Sequence, residues 1–317
     1  FAKYVPYYIN IEKFAKWSAL SWAFGSAHAQ EADNVKWYYD TTTGRFEPIL
    51  YDVNVYDLGK WDGYKRIDEN YGVMGPMQAF DSEIWVHKIV TKTLQVPEIQ
   101  LKRNQELWKI LTGTDFNISE RMKQEYNRIR PYLNLGLQPT NLASEDQAQE
   151  NRSSKIENNR ELLKEWLKFS RSFSNLSVSR NNTHTEILIG IVPDGLAGLY
   201  LSGIELETSQ IPGNSVQNPK VSIINPAGLK TIVNDVSLLE GDNGIKVEFD
   251  PVYLSVFRSD DLLPVITPWE IRILIEHDEN QTESFGGIYV TDFKPQLVNA
   301  VSGEEIVTYQ NRRFAPE

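Results

Sequence analysis

Apolar positions along the chain follow two different periods, helical in the first half and strand-like in the second. Asn10 precedes Ile11, Phe14, Ala15, Leu20 and Trp22 at roughly helical spacing, which predicts a capped helix stopped by Gly25 and Ser26. The period then shortens. Val35-Lys36-Trp37-Tyr38-Tyr39 is an aromatic and β-branched run, Thr43-Gly44 makes a turn, and residues 45–50 return, so 35–52 predict a hairpin. Helical spacing resumes with Phe80, Ile84, Trp85 and Ile89, then with Leu107, Trp108 and Leu111 in a short helix. Ile118, Met122, Tyr126, Ile129 and Leu133 form a third stripe ending near Pro131; Ile156, Leu163, Trp166 and Leu167 form a fourth. Core packing is the plainest reading of each stripe. The stretches 54–77 and 134–155 are polar and predict loops.

After Ser170 the pattern changes. Residues 171–180 are rich in Ser and Asn and predict a linker. Short β-type runs follow at 186–192, 199–206, 220–224, 245–249, 252–256, 270–276 and 287–293, divided by Pro, Gly and Asn. Asn243-Gly244 is a hairpin signal. Seven short strands of this kind predict an antiparallel β-sandwich. The expected fold is therefore α+β: a mostly helical region over 1–170 with an embedded hairpin, a linker over 171–184, and a β-sandwich over 185–317.

Composition narrows the chemistry. The 317 residues contain no cysteine and four histidines, which removes disulfides, Cys-ligated metals and thiol catalysis and leaves little for a His-rich site. The net charge of −11 argues against non-specific nucleic-acid binding. No stretch is long and apolar enough to predict a membrane-spanning helix. The charge divides unevenly: residues 1–170 carry 22 Lys+Arg and 23 Asp+Glu, residues 171–317 carry 10 and 20. Seven of the eight Trp lie in the first part. No Walker, GxSxG or HExxH motif occurs. Asp57, Asp62, Asp68 and Glu69, with Gly59 and Gly63, lack EF-hand spacing and read as a solvated loop. His87, His184 and His277 are isolated. Five N-x-S/T sequons occur, at Asn117, Asn151, Asn175, Asn181 and Asn280. Tyr200, Tyr253, Phe257 and Trp269 offer either a carbohydrate platform or, more simply, core aromatics.

The stretch from Gly25 to Asn54 carries the candidate chemistry. Asn34 precedes the first strand of the hairpin and Asp52 follows the second, so the hairpin should bring them together. An amide oxygen beside a carboxylate suits a hard cation such as Mg²⁺ with phosphate oxygens completing its shell. The same two residues also suit the plain role of turn residues closing a hairpin.

The order Asn34, Trp37-Tyr38-Tyr39, Thr43-Gly44, Glu47-Pro48-Ile49 and Tyr51-Asp52-Val53-Asn54 resembles the core of the CotH family, the spore-coat-type atypical protein kinases. The resemblance extends over about residues 1–170. It implies phosphoryl transfer from Mg²⁺–ATP, with Asp52 and Asn34 as metal and nucleotide ligands and Asn54 as a further metal ligand. It also implies a surface or coat location, outside the cell, with other protein subunits as partners.

Departures from the family pattern point toward lost catalysis. Kinase spacing puts the catalytic Asp five residues before the Asn, and that position is Ala29. His28 or Glu31 is then the expected general base. Asn54 stands where a second acid is expected, and Tyr51 stands in place of Trp. Neither Lys3 nor Lys13 falls in a strand pattern that would grip a nucleotide, so the chain as given reads as lacking an ATP-gripping lobe, which either lies outside this sequence or is missing from a kinase-like remnant. Two readings stay open: a degenerate, kinase-like structural component of a surface or coat assembly, and an active Ser/Thr kinase of secreted or coat proteins.

Overall fold

The computed structural model describes residues 3–26, 28–30, 34–51, 53–55, 57–58, 88–94, 96–113, 117–135, 142–180, 183–208, 219–241, 244–256, 268–276 and 289–310. The chain divides into two compact units, Phe1–Phe169 and Ser170–Glu317. It is an α+β protein.

The first unit begins with the short helix α1 (Val5–Tyr8) and continues into α2 (Ile11–Ala23). Asn10 caps α2, its side chain accepting from the Lys13 amide. A 3₁₀ turn (His28–Gln30) leads to the hairpin of β1 (Lys36–Asp40) and β2 (Arg45–Ile49). Gly44 takes φ +68° at its turn, a backbone state that glycine adopts without strain. Asp40 closes that turn by accepting from the Thr42 amide and the Thr43 hydroxyl, which holds its carboxyl below the usual range. The remaining helices are α3 (Lys88–Leu94), α4 (Pro97–Thr112), α5 (Ile118–Ile129) and α6 (Leu142–Lys168). Phe14 and Trp17 of α2 pack with Val90, Leu94, Val96 and Ile99. Phe14 also stacks on Trp37 of β1, with ring centroids 6.2 Å apart, which seats the hairpin on the helical core.

Several helical expectations shift. Of the first predicted stripe only Ile89 lies in the described residues, and it is exposed; Val90 and Leu94, one turn apart, take the buried face of α3. The third stripe is mostly surface: Ile118 is buried, but Ile129 is exposed and Tyr126 is engaged by Asp146. Residues 142–155, expected as a loop, are the first half of α6. Low apolar content hid it: Leu142 is the one large apolar residue in that stretch, while ion pairs such as Glu161–Lys164 and Glu157–Arg160 lace the second half of the helix.

The second unit is a β-sandwich. Its strands are β3 (Ser170–Arg180), β4 (His184–Gly195), β5 (Leu199–Thr208), β6 (Lys220–Ile224), β7 (Lys230–Ile232), β8 (Ser237–Gly241), β9 (Gly244–Leu254), β10 (Trp269–Glu276), β11 (Val290–Asn299) and β12 (Thr308–Gln310). One sheet has the order β12-β3-β4-β10-β6-β7 and the other β11-β5-β9-β8. Ile187, Ile189 and Ile191 of the first sheet share a core with Leu201, Ile204 and Val247 of the second. Neighbouring strands run antiparallel, whereas β12 and β3 pair in parallel.

The expected linker is instead strand β3, paired with β4 from Ser170 to Arg180. Buried Ser172 and Ser174 lie along it, so its alternation does not read as apolar. The run at 245–249 and the first part of the run at 252–256 belong to one strand, β9, whose pairing slips register opposite Leu201 and Gly203. Trp269 belongs to the core, 5% exposed and donating to the Ser255 carbonyl, so it contributes to no open aromatic platform. Tyr253 donates to the Ala197 carbonyl; Phe257 lies outside the described residues.

Candidate functional site

The hairpin mouth is built from three short pieces of chain. The first is the segment after α2. Gly25 turns with φ +67°, and Ser26 follows, 1% exposed. The second is Asn34 and Val35, which enter β1; Asn34 is half-buried and has an interaction partner. The third is the exit from β2. Lys36 pairs with Ile49, and the Lys36 ammonium lies 5.6 Å from the centre of the Tyr51 ring, so entry and exit stand side by side. The Asn54 amide donates to Ser26 Oγ at 3.2 Å. The exit segment is thereby brought back to the start of the turn that carries residues 28–30.

The sequence-derived site residues fall as follows. Asn34 and Asn54 both belong to this mouth, the first half-buried and the second exposed. Asp52 and Glu31 lie outside the described residues. His28 lies in the 3₁₀ turn, and only its backbone belongs to the described part of the chain. Ala29, at the position of the expected catalytic carboxylate, is 1% exposed and packed in the interior. The acidic loop residues from Gly59 to Glu69 and His87 lie outside the described residues, while Asp57 is half-buried. Among the described residues no group of three His, Asp or Glu side chains forms a metal cluster.

Four more side chains shape this region, and of them the sequence pattern marks only Glu47, within Glu47-Pro48-Ile49. Gln30 is completely buried, and neither its Oε1 nor its Nε2 has a partner among the described residues. A buried carboxamide with both ends unpaired is rare and costly, and such groups concentrate where water, ions or ligands complete them. Glu47, 7% exposed in the middle of β2, accepts from Asn10 Nδ2 at 2.9 Å and from Lys13 Nζ at 2.6 Å. The Lys13 bond raises the pKa of that ammonium and ties the hairpin to the first turn of α2. Asn159 of α6 is fully buried and accepts from the Leu58 amide at 2.9 Å. Lys155, one turn earlier, donates to the Val55 carbonyl at 3.4 Å. Contacts 34 to 101 residues apart leave no local sequence signal, although the i,i+4 spacing of Lys155 and Asn159 puts them on one helix face.

By donor type, Asn34 and Asn54 carry amide oxygens, which suit a hard cation better than zinc or a soft metal.

No curated protein matches the chain. Among solved structures, the chain is similar to a family 3a carbohydrate binding module from the cipA scaffolding of Clostridium thermocellum. That match has 10% identity and a TM-score of 0.26, covering 43% of this chain and 99% of that one, a likeness too slight to carry function. No helix among the described residues is long and apolar enough to cross a membrane. A family model described as CotH kinase protein matches residues 1–173, more than half of the 317. The order of residues around the hairpin and the family match agree, and the chain belongs to the CotH kinase protein family.

Proposed function

We propose that this protein is a kinase-like structural or assembly component of an extracellular, cell-surface or coat structure, with the phosphoryl-transfer step lost. The observation that carries the reading is Ala29. At the spacing where a kinase holds its proton acceptor, this chain buries a methyl group at 1% exposure. A methyl group neither accepts the substrate hydroxyl proton nor orients the nucleophile, and loss of that role costs about 10²–10⁴ in rate. Asn54 in place of a second acid lowers the negative charge available to a cation in the same mouth. Partners on this reading are other protein subunits of the assembly.

A second reading keeps catalysis, supported by family membership and by the unpaired Gln30 carboxamide beside Ala29. In it Asn34, Asp52 and Asn54 would hold Mg²⁺, which would supply positive charge to the ATP phosphates, and His28 or Glu31 would accept the Ser/Thr hydroxyl proton. Calorimetric titration of Mg²⁺–ATP, with Asp52→Ala beside the wild type, separates the two. The structural reading expects no saturable heat at millimolar nucleotide. Binding that Asp52→Ala abolishes would shift the balance to the second reading.

A further inference from the structure

We infer that helix α6 is the anchor that sets the position of the hairpin's exit segment, with Asn159 as its positioning residue. The inference rests on the reading of the hairpin mouth as the family's site, and concerns how that mouth is held.

Three contacts grip the exit segment. On one side Ser26 Oγ accepts from the Asn54 amide. On the other, Lys155 Nζ reaches the Val55 carbonyl and Asn159 Oδ1 takes the Leu58 amide. The segment is therefore tied both to the turn after α2 and to a helix 101 residues beyond Leu58. These ties run through side chains instead of strand pairing, because β2 ends at Ile49. A backbone amide sealed from water needs an acceptor, and Leu58 is 2% exposed. Asn159 is itself 0% exposed and sits on the face of α6 that also buries Ile156 and Leu163. A side chain held by packing on its own helix offers an acceptor at one place only. Asn54 carries the first tie itself, one residue before the Val55 tie and four before the Leu58 tie, so the backbone from which its side chain projects is held directly by Ser26 and from its C-terminal side by α6.

The test is amide hydrogen exchange on the full chain, comparing wild type with Asn159→Leu, Asn159→Asp and Lys155→Met. Leu fills the space of Asn without offering an acceptor; Asp restores one. In Asn159→Leu the Leu58 and Asn54 amides should exchange about tenfold faster or more, while Tyr38, Phe46 and the α2 amides keep their protection. Asn159→Asp should recover most of the Leu58 protection. Lys155→Met, a change at a half-buried position that leaves the helix intact, should speed exchange in the same segment by a smaller factor. Unchanged exchange at Leu58 and Asn54 in Asn159→Leu overturns the anchor. So does loss of protection spread evenly over the first unit, since that marks a general packing residue. If Asn159→Leu fails to fold, Lys155→Met decides by the same criterion. A Mg²⁺–ATP titration of the wild type reports on the functional reading separately: silence there removes the nucleotide from the mouth, while the exchange data alone decide the anchor.

Discussion

Ala29 and Gln30 are neighbours with opposite problems. One is an apolar side chain at the spacing where an ordinary kinase would place a charge; the other is a polar side chain sealed into the interior with neither end paired among the described residues. Replacing an unpaired buried amide by an apolar group of similar size removes a desolvation penalty without removing a bond. Gln30→Leu should therefore leave stability unchanged or raise it by about 1 kcal/mol in urea unfolding. A loss of comparable size would mean that Gln30 has a partner, water or ligand, that makes its burial favourable. The sequence pointed to the position of Ala29 through its distance from Asn34, but not to its burial. Gln30 drew no notice because an unpaired amide is a property of its surroundings, not of its type.

At the scale of elements, the junction of α5 and α6 has the clearest electrostatic signature. Asp146 accepts from Arg130 Nε at 2.7 Å, Arg130 Nη2 at 2.6 Å and the Tyr126 hydroxyl at 2.9 Å. The guanidinium, then the phenol, hold its carboxyl at about 2, below the ordinary 3.8; Arg130 is raised by the same contact. A depressed carboxylate pKa stabilises the fold above its unfolded value and loses that contribution as pH falls through its folded value. Asp146→Asn should thus lower the urea midpoint at pH 7, with the difference from wild type shrinking between about pH 4 and 2. An equal difference at both ends of that window would contradict the clamp. In the other unit, β8 and β9 pair as the hairpin that Asn243-Gly244 signalled, with Gly241 opposite Gly244, which itself lies in β9. A Cβ at Gly244 would run into the Leu206 carbonyl of β5. Gly244→Ala should cost about 1–3 kcal/mol, measured by thermal unfolding, and a neutral result would mean the strands have room to part. Turn chemistry of this kind is local and was legible. The strand β3 was not, because buried serines interrupt its apolar alternation, and α6 was not, because its first half has hardly any apolar face.

At the scale of the molecule, the change of period after Ser170 and the change of charge near the same point both separate a helical unit from a β-sandwich. The hairpin, the capped helix before it and most strands of the sandwich followed from period and turn residues. The hairpin mouth was only partly legible: entry and exit are local, whereas Ser26, Asn159 and Lys155 reach it through the tertiary fold. The central claim is that a kinase-family chain persists here without its transfer step. It is tested most directly by incubating the protein with Mg²⁺ and γ-labelled ATP, alone and with Ser/Thr protein substrates, beside Asp52→Ala. The account predicts no label on any protein above the level of the Asp52→Ala control. Time-dependent labelling of Ser or Thr by the wild type, absent in Asp52→Ala, would contradict it.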